Sequence, residues 1–256
     1  RVDTCEQLAK GLDAGLRSGR LDGADLARPF WGVRAVQGGV NSIRAATALL
    51  RAGDRFSHTT AAALLGAPLP RYAEDVVHIT AGPGLRMPRR AGVIGHEADG
   101  RDAVVVCGSP CSTPEETFAS LGAILPLRFL VAVGDFLVLN PRRPEPGRPW
   151  TTLDRLADVM AADAAVGRRG IRRARQAADL VRPGVESTKE TELRLELRAG
   201  GLPEPECGVE VRDRFGRWIG WFDLVWRKFG VLGEYDGDQH RTSTVQYDRD
   251  LRRVDA

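Results

Sequence analysis

The stretch that most constrains the fold is WFDLVWRKFGVLGEYDGDQH, residues 221–240. It contains two apolar segments of alternating pattern on either side of a short turn at residues 227–230, which predicts two antiparallel strands. The turn is short enough to fix the register, with Trp226 opposite Val231. We therefore expect a hairpin at the centre of the C-terminal part of the chain.

Carboxylates lie at defined positions of this hairpin. In the expected register Asp223 is directly opposite Glu234, and Asp236 shares a strand face with Glu234 because side chains alternate. Opposed residues have Cβ atoms about 4.5–5.5 Å apart. Two carboxylates at that separation repel unless a cation or a proton lies between them. Oxygen ligands suit Mg²⁺ or Mn²⁺, so the hairpin is interpreted as half of a metal site.

The same residues carry a family resemblance. The segments 223–226 (DLVW) and 233–237 (GEYDG), followed by His240, resemble the very-short-patch-repair (Vsr)-like branch of the PD-(D/E)XK endonuclease superfamily. Segments 187–194 and 247–250 are similar to that branch too, and the resemblance covers about residues 168–256. It implies a restriction-endonuclease-like mixed sheet with flanking helices. The signature lysine of the superfamily is absent, since Asp236 stands in its place, but Vsr-like members also depart from that lysine.

The resemblance implies metal-assisted hydrolysis of phosphodiester bonds in DNA. Asp223 and Glu234 would hold Mg²⁺ or Mn²⁺, with the carbonyl of Tyr235 as a third ligand. His240 would act as general base or acid, because an unperturbed imidazole titrates near neutrality. Asp236 would be a second metal ligand or would position water.

Glu190 has two interpretations. Ser187 and Glu190 are spaced as a capping box at the start of a helix, which gives Glu190 a structural role. Helical geometry also directs Glu190 to the face that packs on the sheet, towards Asp223, where the family often has a helical acid. Both roles stay open, and Glu186 is the alternative acid.

A basic cluster opens the helix expected at residues 168–181. Arginine at a helix start opposes the positive end of the helix dipole, so either a nucleic-acid phosphate or simple solvation must offset that repulsion. The candidate nucleic-acid-binding residues are Arg168, Arg169, Arg172, Arg173 and Arg175.

Two domains are expected, a mixed α/β domain over residues 1–165 and the nuclease-like domain over residues 166–256. The order helix, helix, strand over about residues 1–40 is that of a winged helix, or of an ordinary α/β packing unit. Residues 57–66 and 112–121 weakly resemble AbiEi-type antitoxin regulators. This N-terminal likeness favours a second function, a non-catalytic DNA-binding regulator or antitoxin-like protein with a relic nuclease fold.

Composition restricts the remaining possibilities. A net charge of +3 permits nucleic-acid binding without indicating it. The four cysteines lack zinc-type spacing and have no nearby histidine, which favours a reduced, cytoplasmic protein without a zinc site. No apolar run is long enough to span a membrane. His58 is interpreted as a cap-region or surface histidine. The sequence identifies DNA as the expected partner but gives no toxin partner and no oligomeric state.

Overall fold

A computed structural model describes residues 6–7, 17–37, 41–73 and 76–235. The chain forms two compact units, Arg1–Leu121 and Gly122–Ala256. Within the described residues it has eight α-helices and three β-sheets, so the expected mixed α/β class is confirmed. The domain boundary expected near residue 165 falls inside the second unit.

The first unit contains two sheets and four short helices among its described residues. Its elements are β1 (Glu6–Gln7), α1 (Ser18–Leu21), β2 (Leu26–Ala27), β3 (Val33–Val36), α2 (Ser42–Ala46), β4 (Arg55–Phe56), α3 (His58–Leu64), β5 (Val77–Thr80), β6 (Arg89–Arg90), β7 (Val93–His96), β8 (Val104–Val106), β9 (Ser109–Cys111) and α4 (Pro114–Leu121). The small sheet has the order β1-β3-β2, and the larger one has the order β6-β7-β5-β4-β9-β8.

The small sheet is the region in which a winged helix is expected. Its strands are antiparallel, and α1 is a single turn that precedes β2. Residues 8–16, where the first helix is expected, lie outside the described residues. The winged-helix interpretation therefore stays a prediction.

The core of the first unit lies between the larger sheet and the helix pair α3 and α4, which pack against each other. Phe56 of β4, Ile79 of β5 and Phe118 of α4 are almost completely excluded from solvent. Burying each of these side chains contributes about 1.5–3 kcal/mol. The same packing holds α3 above β5, which determines where His58 lies.

The second unit contains four helices and one sheet among its described residues. Its elements are α5 (Leu127–Val138), α6 (Leu153–Ala165), α7 (Ile171–Ala178), α8 (Thr188–Ala199), β10 (Glu206–Arg212), β11 (Trp218–Trp226) and β12 (Val231–Gly233). The strands pair in the order β10-β11-β12 as an antiparallel meander. Helices α5 and α6 belong here because α5 packs on α7 and α8, and α6 packs on α7.

A buried ion-pair network fixes the rotation of α8. Arg194 of α8 is fully buried, and its guanidinium bonds Asp135 of α5 at 3.0 Å and Glu204 at 2.7 Å. Asp135 also accepts bonds from the Thr191 hydroxyl at 2.8 Å and from the Arg182 N–H at 2.7 Å. Because Arg194 lies one turn after Glu190, the network sets which face of α8 Glu190 occupies.

Two glycines bring the segment before α8 against β10. Gly184 has φ +88° and Gly208 has φ +55°, and both backbones are in contact. A Cβ on Gly208 would lie 2.0 Å from the Gly184 carbonyl oxygen, a distance that no side chain tolerates. Gly208 lies between the positions paired with Leu224 and Phe222, so this contact brings the start of α8 next to Asp223.

Candidate functional site

The hairpin has the register expected from sequence. Trp226 pairs with Val231 and Leu224 pairs with Gly233, so the next position along the ladder is that of Asp223 and Glu234. The Tyr235 N–H donates a hydrogen bond to Oδ2 of Asp223 at 2.8 Å. The two acids expected to share a cation therefore come from neighbouring strand positions, with the backbone of Tyr235 beside them.

Glu190 takes part in the expected helix cap, and its role as an acid of the site stays a prediction. The Glu190 N–H donates to the Ser187 hydroxyl at 3.2 Å, so Ser187 caps α8 as expected. The Glu190 carboxylate accepts bonds from the Ser187 hydroxyl at 2.7 Å and from the N–H of Glu186, the residue before the cap, at 2.8 Å. Glu190 is 9 % exposed, and burial raises the pKa of its carboxyl, helped by the charges of Asp223 and Glu186. Glu190 therefore interacts with the charge of Asp223 while it contributes to the cap of its own helix.

Arg142 binds one member of an acidic cluster, which we define as Glu186, Glu190 and Asp223, and the charges of the other two act on it. Its Nε and Nη2 bond the two carboxylate oxygens of Glu186 at 2.5 and 2.6 Å. That bidentate contact raises the pKa of Arg142, and the charges of Asp223 and Glu190 raise it further. The guanidinium also lies over the Trp221 ring, 5.6 Å from its centroid.

Arg142 was not expected at the site from the sequence. It belongs to the proline-rich segment NPRRPEPGRP, residues 140–149, whose composition is typical of a connector. Arginine between prolines gives no signal about a partner 44 residues away. Its placement follows only from the packing of α5 against α8.

The basic cluster divides into two groups. Arg168 bonds Asp163 at 3.0 Å, and Arg173 donates to the carbonyls of Gly122 and Leu125 at 3.1 and 3.3 Å. These two arginines therefore have structural roles. The other three, Arg169, Arg172 and Arg175, are exposed.

Two predicted site residues cannot be placed. Asp236 and His240 lie outside the described residues, and so does segment 247–250 of the resemblance. Their expected roles stay predictions. The described part of the site consists of the acidic cluster, Arg142, Glu234 and the Tyr235 backbone.

A second cluster lies in the first unit and was not expected. His58, His78 and His96 bring one ring nitrogen each to within 4.8 Å of the others. His58 lies at the start of α3 as predicted, but it is half-buried and stacks on His96 with ring centroids 3.8 Å apart. Burial lowers the pKa of His78 to about 4, with a further contribution from His96. Sequence separations of 20 and 18 residues give no metal-ligand signal.

In the described part of the chain, no helix has the length and apolar character needed to cross a bilayer. Neither a known protein-family model nor a curated protein matches this chain. The resemblance to Vsr-like nucleases accordingly stays a prediction.

Proposed function

We propose that the second unit is a nuclease that hydrolyses phosphodiester bonds in DNA with Mg²⁺ or Mn²⁺. The observation that carries the proposal is a set of contacts beside the paired strands β11 and β12. Arg142 binds Glu186, and the Glu186 N–H donates to Glu190. Asp223 accepts a bond from the Tyr235 N–H, and the charges of Glu190 and Asp223 both act on Arg142. Carboxylates brought together at a sheet and a helix start, with a cation among them, are typical of phosphoryl-transfer sites.

The donor set fits a hard divalent cation. When they are ionised, three carboxylates share one guanidinium, which leaves an excess of negative charge that a divalent cation would neutralise. The available ligands are all oxygens, as Mg²⁺ and Mn²⁺ prefer. Asp223 and Glu234 would hold the ion, with the carbonyl of Tyr235 as a third ligand. When bound, the ion supplies Lewis-acid activation of water and charge neutralisation at the phosphate.

Arg142 supplies the cation that the absent signature lysine would otherwise provide. Its planar fork binds Glu186 in the bidentate geometry that also suits a phosphate. Arg142 is 47 % exposed, so an incoming phosphate can reach it from solvent. If Arg142 released Glu186 and bound the scissile phosphate instead, its guanidinium would lie where negative charge develops in the transition state.

Glu190 holds or moves a proton. Its raised pKa brings the carboxyl closer to the working pH, which is the condition for general acid–base catalysis. His240 is the second candidate for this role, and Asp236 is a candidate for positioning water.

The exposed arginines of α7 support DNA as the substrate. Arg169 and Arg172 extend into solvent at the start of α7, where phosphate would offset their repulsion from the helix dipole. Arg175 is also exposed but lies in the last turn of α7, so only its charge and exposure support a phosphate contact.

The test is cleavage of supercoiled, nicked and mismatched DNA in the presence of Mg²⁺ or Mn²⁺. We expect cleavage by the unmodified protein, none by Asp223→Asn, and a loss of about 100-fold or more with Glu190→Gln. The matched control is Glu192→Gln on the same helix, since Glu192 forms an exposed ion pair with Lys189 at 2.7 Å. Absence of cleavage by the unmodified protein, or equal cleavage by Asp223→Asn, contradicts the proposal.

The second candidate is a non-catalytic DNA-binding regulator or antitoxin-like protein. The favouring observation is that Arg142 already occupies both oxygens of Glu186, as in a structural ion pair. This candidate predicts DNA binding without cleavage, and binding that Asp223→Asn leaves unchanged.

A further inference from the structure

The histidine cluster of the first unit is assembled by three elements. β5 and β7 are parallel neighbours in which Thr80 pairs with His96, and His78 lies two residues before Thr80 on the same strand face. α3 packs against β5, and its first residue is His58. Two histidines from adjacent strands and one from a helix start therefore meet on one face of the sheet.

The ring nitrogens lie at metal-ligand separations. In a tetrahedral zinc site with Zn–N bonds of about 2.0–2.1 Å, two ligand nitrogens are about 3.3–3.4 Å apart. Nδ1 of His78 and Nε2 of His96 are 2.9 Å apart, and the three ligand atoms all lie within 4.8 Å. To hold an ion, the paired nitrogens must move apart by about 0.4 Å, and the widest of the three separations must close by up to about 1.4 Å.

Ring rotation completes the geometry. The three rings are stacked with interplanar angles of 10–22°, whereas a coordinated ion lies in the plane of each imidazole. Turning about the Cβ–Cγ bond is soft for histidine, so aiming the three rings at one ion requires a change in this torsion.

The backbone around the cluster is held in place. His58 has φ +52°, an uncommon conformation for a residue with a Cβ, and its Nδ1 lies 3.0 Å from the Ser57 hydroxyl. The backbone N–H of His78 donates to the Thr60 hydroxyl at 2.8 Å. A hydroxyl beside a ring nitrogen is the kind of second contact that orients metal-binding histidines. Uncommon backbone conformations of this kind cluster at functional sites.

The charges near the cluster are balanced. Arg55 pairs with Thr80 across β4 and β5, so it lies in the same row as His96. Its buried guanidinium forms an ion pair with the partly exposed Asp99 and bonds the Ser112 hydroxyl at 3.2 Å. The arginine therefore has its own counter-ion and adds little net repulsion to an approaching cation.

We propose that His58, His78 and His96 bind one Zn²⁺ ion, leaving a fourth coordination position for water or an anionic ligand. Imidazole ligands select Zn²⁺ and similar transition ions over Mg²⁺, so this site differs in chemistry from the acidic cluster of the second unit. Three protein ligands with one open position are the arrangement of reactive rather than purely structural zinc sites.

The experiment is a titration of the full-length, chelator-treated protein with Zn²⁺ by isothermal calorimetry. We expect one Zn²⁺ per chain, and a loss of affinity in His78→Gln and His96→Gln greater than the roughly 10–100-fold that removal of a second-shell partner produces. The matched control is Glu192→Gln, an exposed residue that belongs to neither cluster. It should bind Zn²⁺ as the unmodified protein does, and excess Mg²⁺ in the titration should occupy the acidic cluster.

A second measurement does not depend on the folding of the variants. X-ray absorption of the zinc-loaded unmodified protein should show three imidazole ligands, with nitrogen at about 2.0–2.1 Å and no sulfur at about 2.3 Å. Three outcomes would overturn the proposal: no zinc binding by the unmodified protein, coordination by sulfur or by carboxylates alone, or full affinity in a folded His78→Gln protein.

Discussion

Replacing Arg194 with methionine tests whether the buried network holds α8 in place. The arginine is 0 % exposed and Asp135 is 1 % exposed, so both charges are removed from water. Methionine fills most of the space of the aliphatic stem but leaves the Asp135 carboxylate without a cation. The Asp135 carboxylate would then accept hydrogen bonds only from the Arg182 backbone N–H and the Thr191 hydroxyl.

The expected loss is large because one partner of a desolvated pair is removed. Breaking such a pair costs about 3–5 kcal/mol of unfolding free energy. The matched control is Arg198→Met, one turn later on α8, which removes an ion pair to Glu204 from a side chain that is 46 % exposed. Exposed pairs contribute about 0–1 kcal/mol, so the control should lose at most that much.

The loss of unfolding free energy in Arg194→Met should also depend on pH. Burial raises the pKa of Asp135, and Arg194 opposes that effect. Without Arg194 the native carboxyl keeps its proton to still higher pH, whereas the unfolded chain ionises near its ordinary pKa of about 3.9. Because the native state then binds more protons, stability falls as pH rises through this window. The deficit of Arg194→Met should therefore be smallest near pH 4 and largest near pH 7.

The assay is urea unfolding followed by tryptophan fluorescence, since four of the five tryptophans lie in the second unit. Adding Asp135→Asn to Arg194→Met removes the buried carboxylate that has lost its cation, so the double variant should be more stable than Arg194→Met alone. If Arg194→Met and Arg198→Met lose the same amount, or if the deficit grows towards acid pH, the buried-charge reasoning is refuted.

Three further predictions concern the acidic cluster, the basic cluster and the glycine contact. Mg²⁺ at about ten times its Kd should stabilise the unmodified protein by about 1.4 kcal/mol, and Asp223→Asn should show no such gain in thermal melting. Replacing Arg172 and Arg175 by glutamine should flatten the slope of log binding constant against log salt concentration for DNA, by up to about 0.9 for each phosphate that is no longer neutralised. An unchanged slope would mean that these arginines are solvated and do not contact phosphate. Gly208→Ala should destabilise the fold by clearly more than about 1 kcal/mol. Gly230→Ala is its control in urea unfolding, because Gly230 has φ +62° with open space around it.

The parts of the site that depend on local pattern could be predicted from the sequence. Alternation along β11 and β12 and the short turn between them fix the pairing of Trp226 with Val231. The spacing of Ser187 and Glu190 fixes the capping box, because both partners lie within one helical turn.

The remaining parts depend on contacts between distant segments, which a single sequence does not encode in any local signal. The domain boundary could not be placed because α5 and α6 have the pattern of apolar helices that fit either unit, and only their packing on α7 and α8 assigns them. Arg142 and the three histidines are single residues in ordinary contexts. Their partners come from other elements that only the folded chain brings together.

The separations along the chain also order the events of folding. The strands β10, β11 and β12 follow one another within residues 206–233, so their pairing closes only short loops. Arg142 reaches Glu186 across 44 residues, and contacts of that range form later because closing a longer loop loses more chain entropy. Asp223 and Glu234, which belong to this meander, therefore come together before Arg142 reaches Glu186. During that interval the two carboxylates repel each other, and a divalent cation from the solvent can relieve that repulsion.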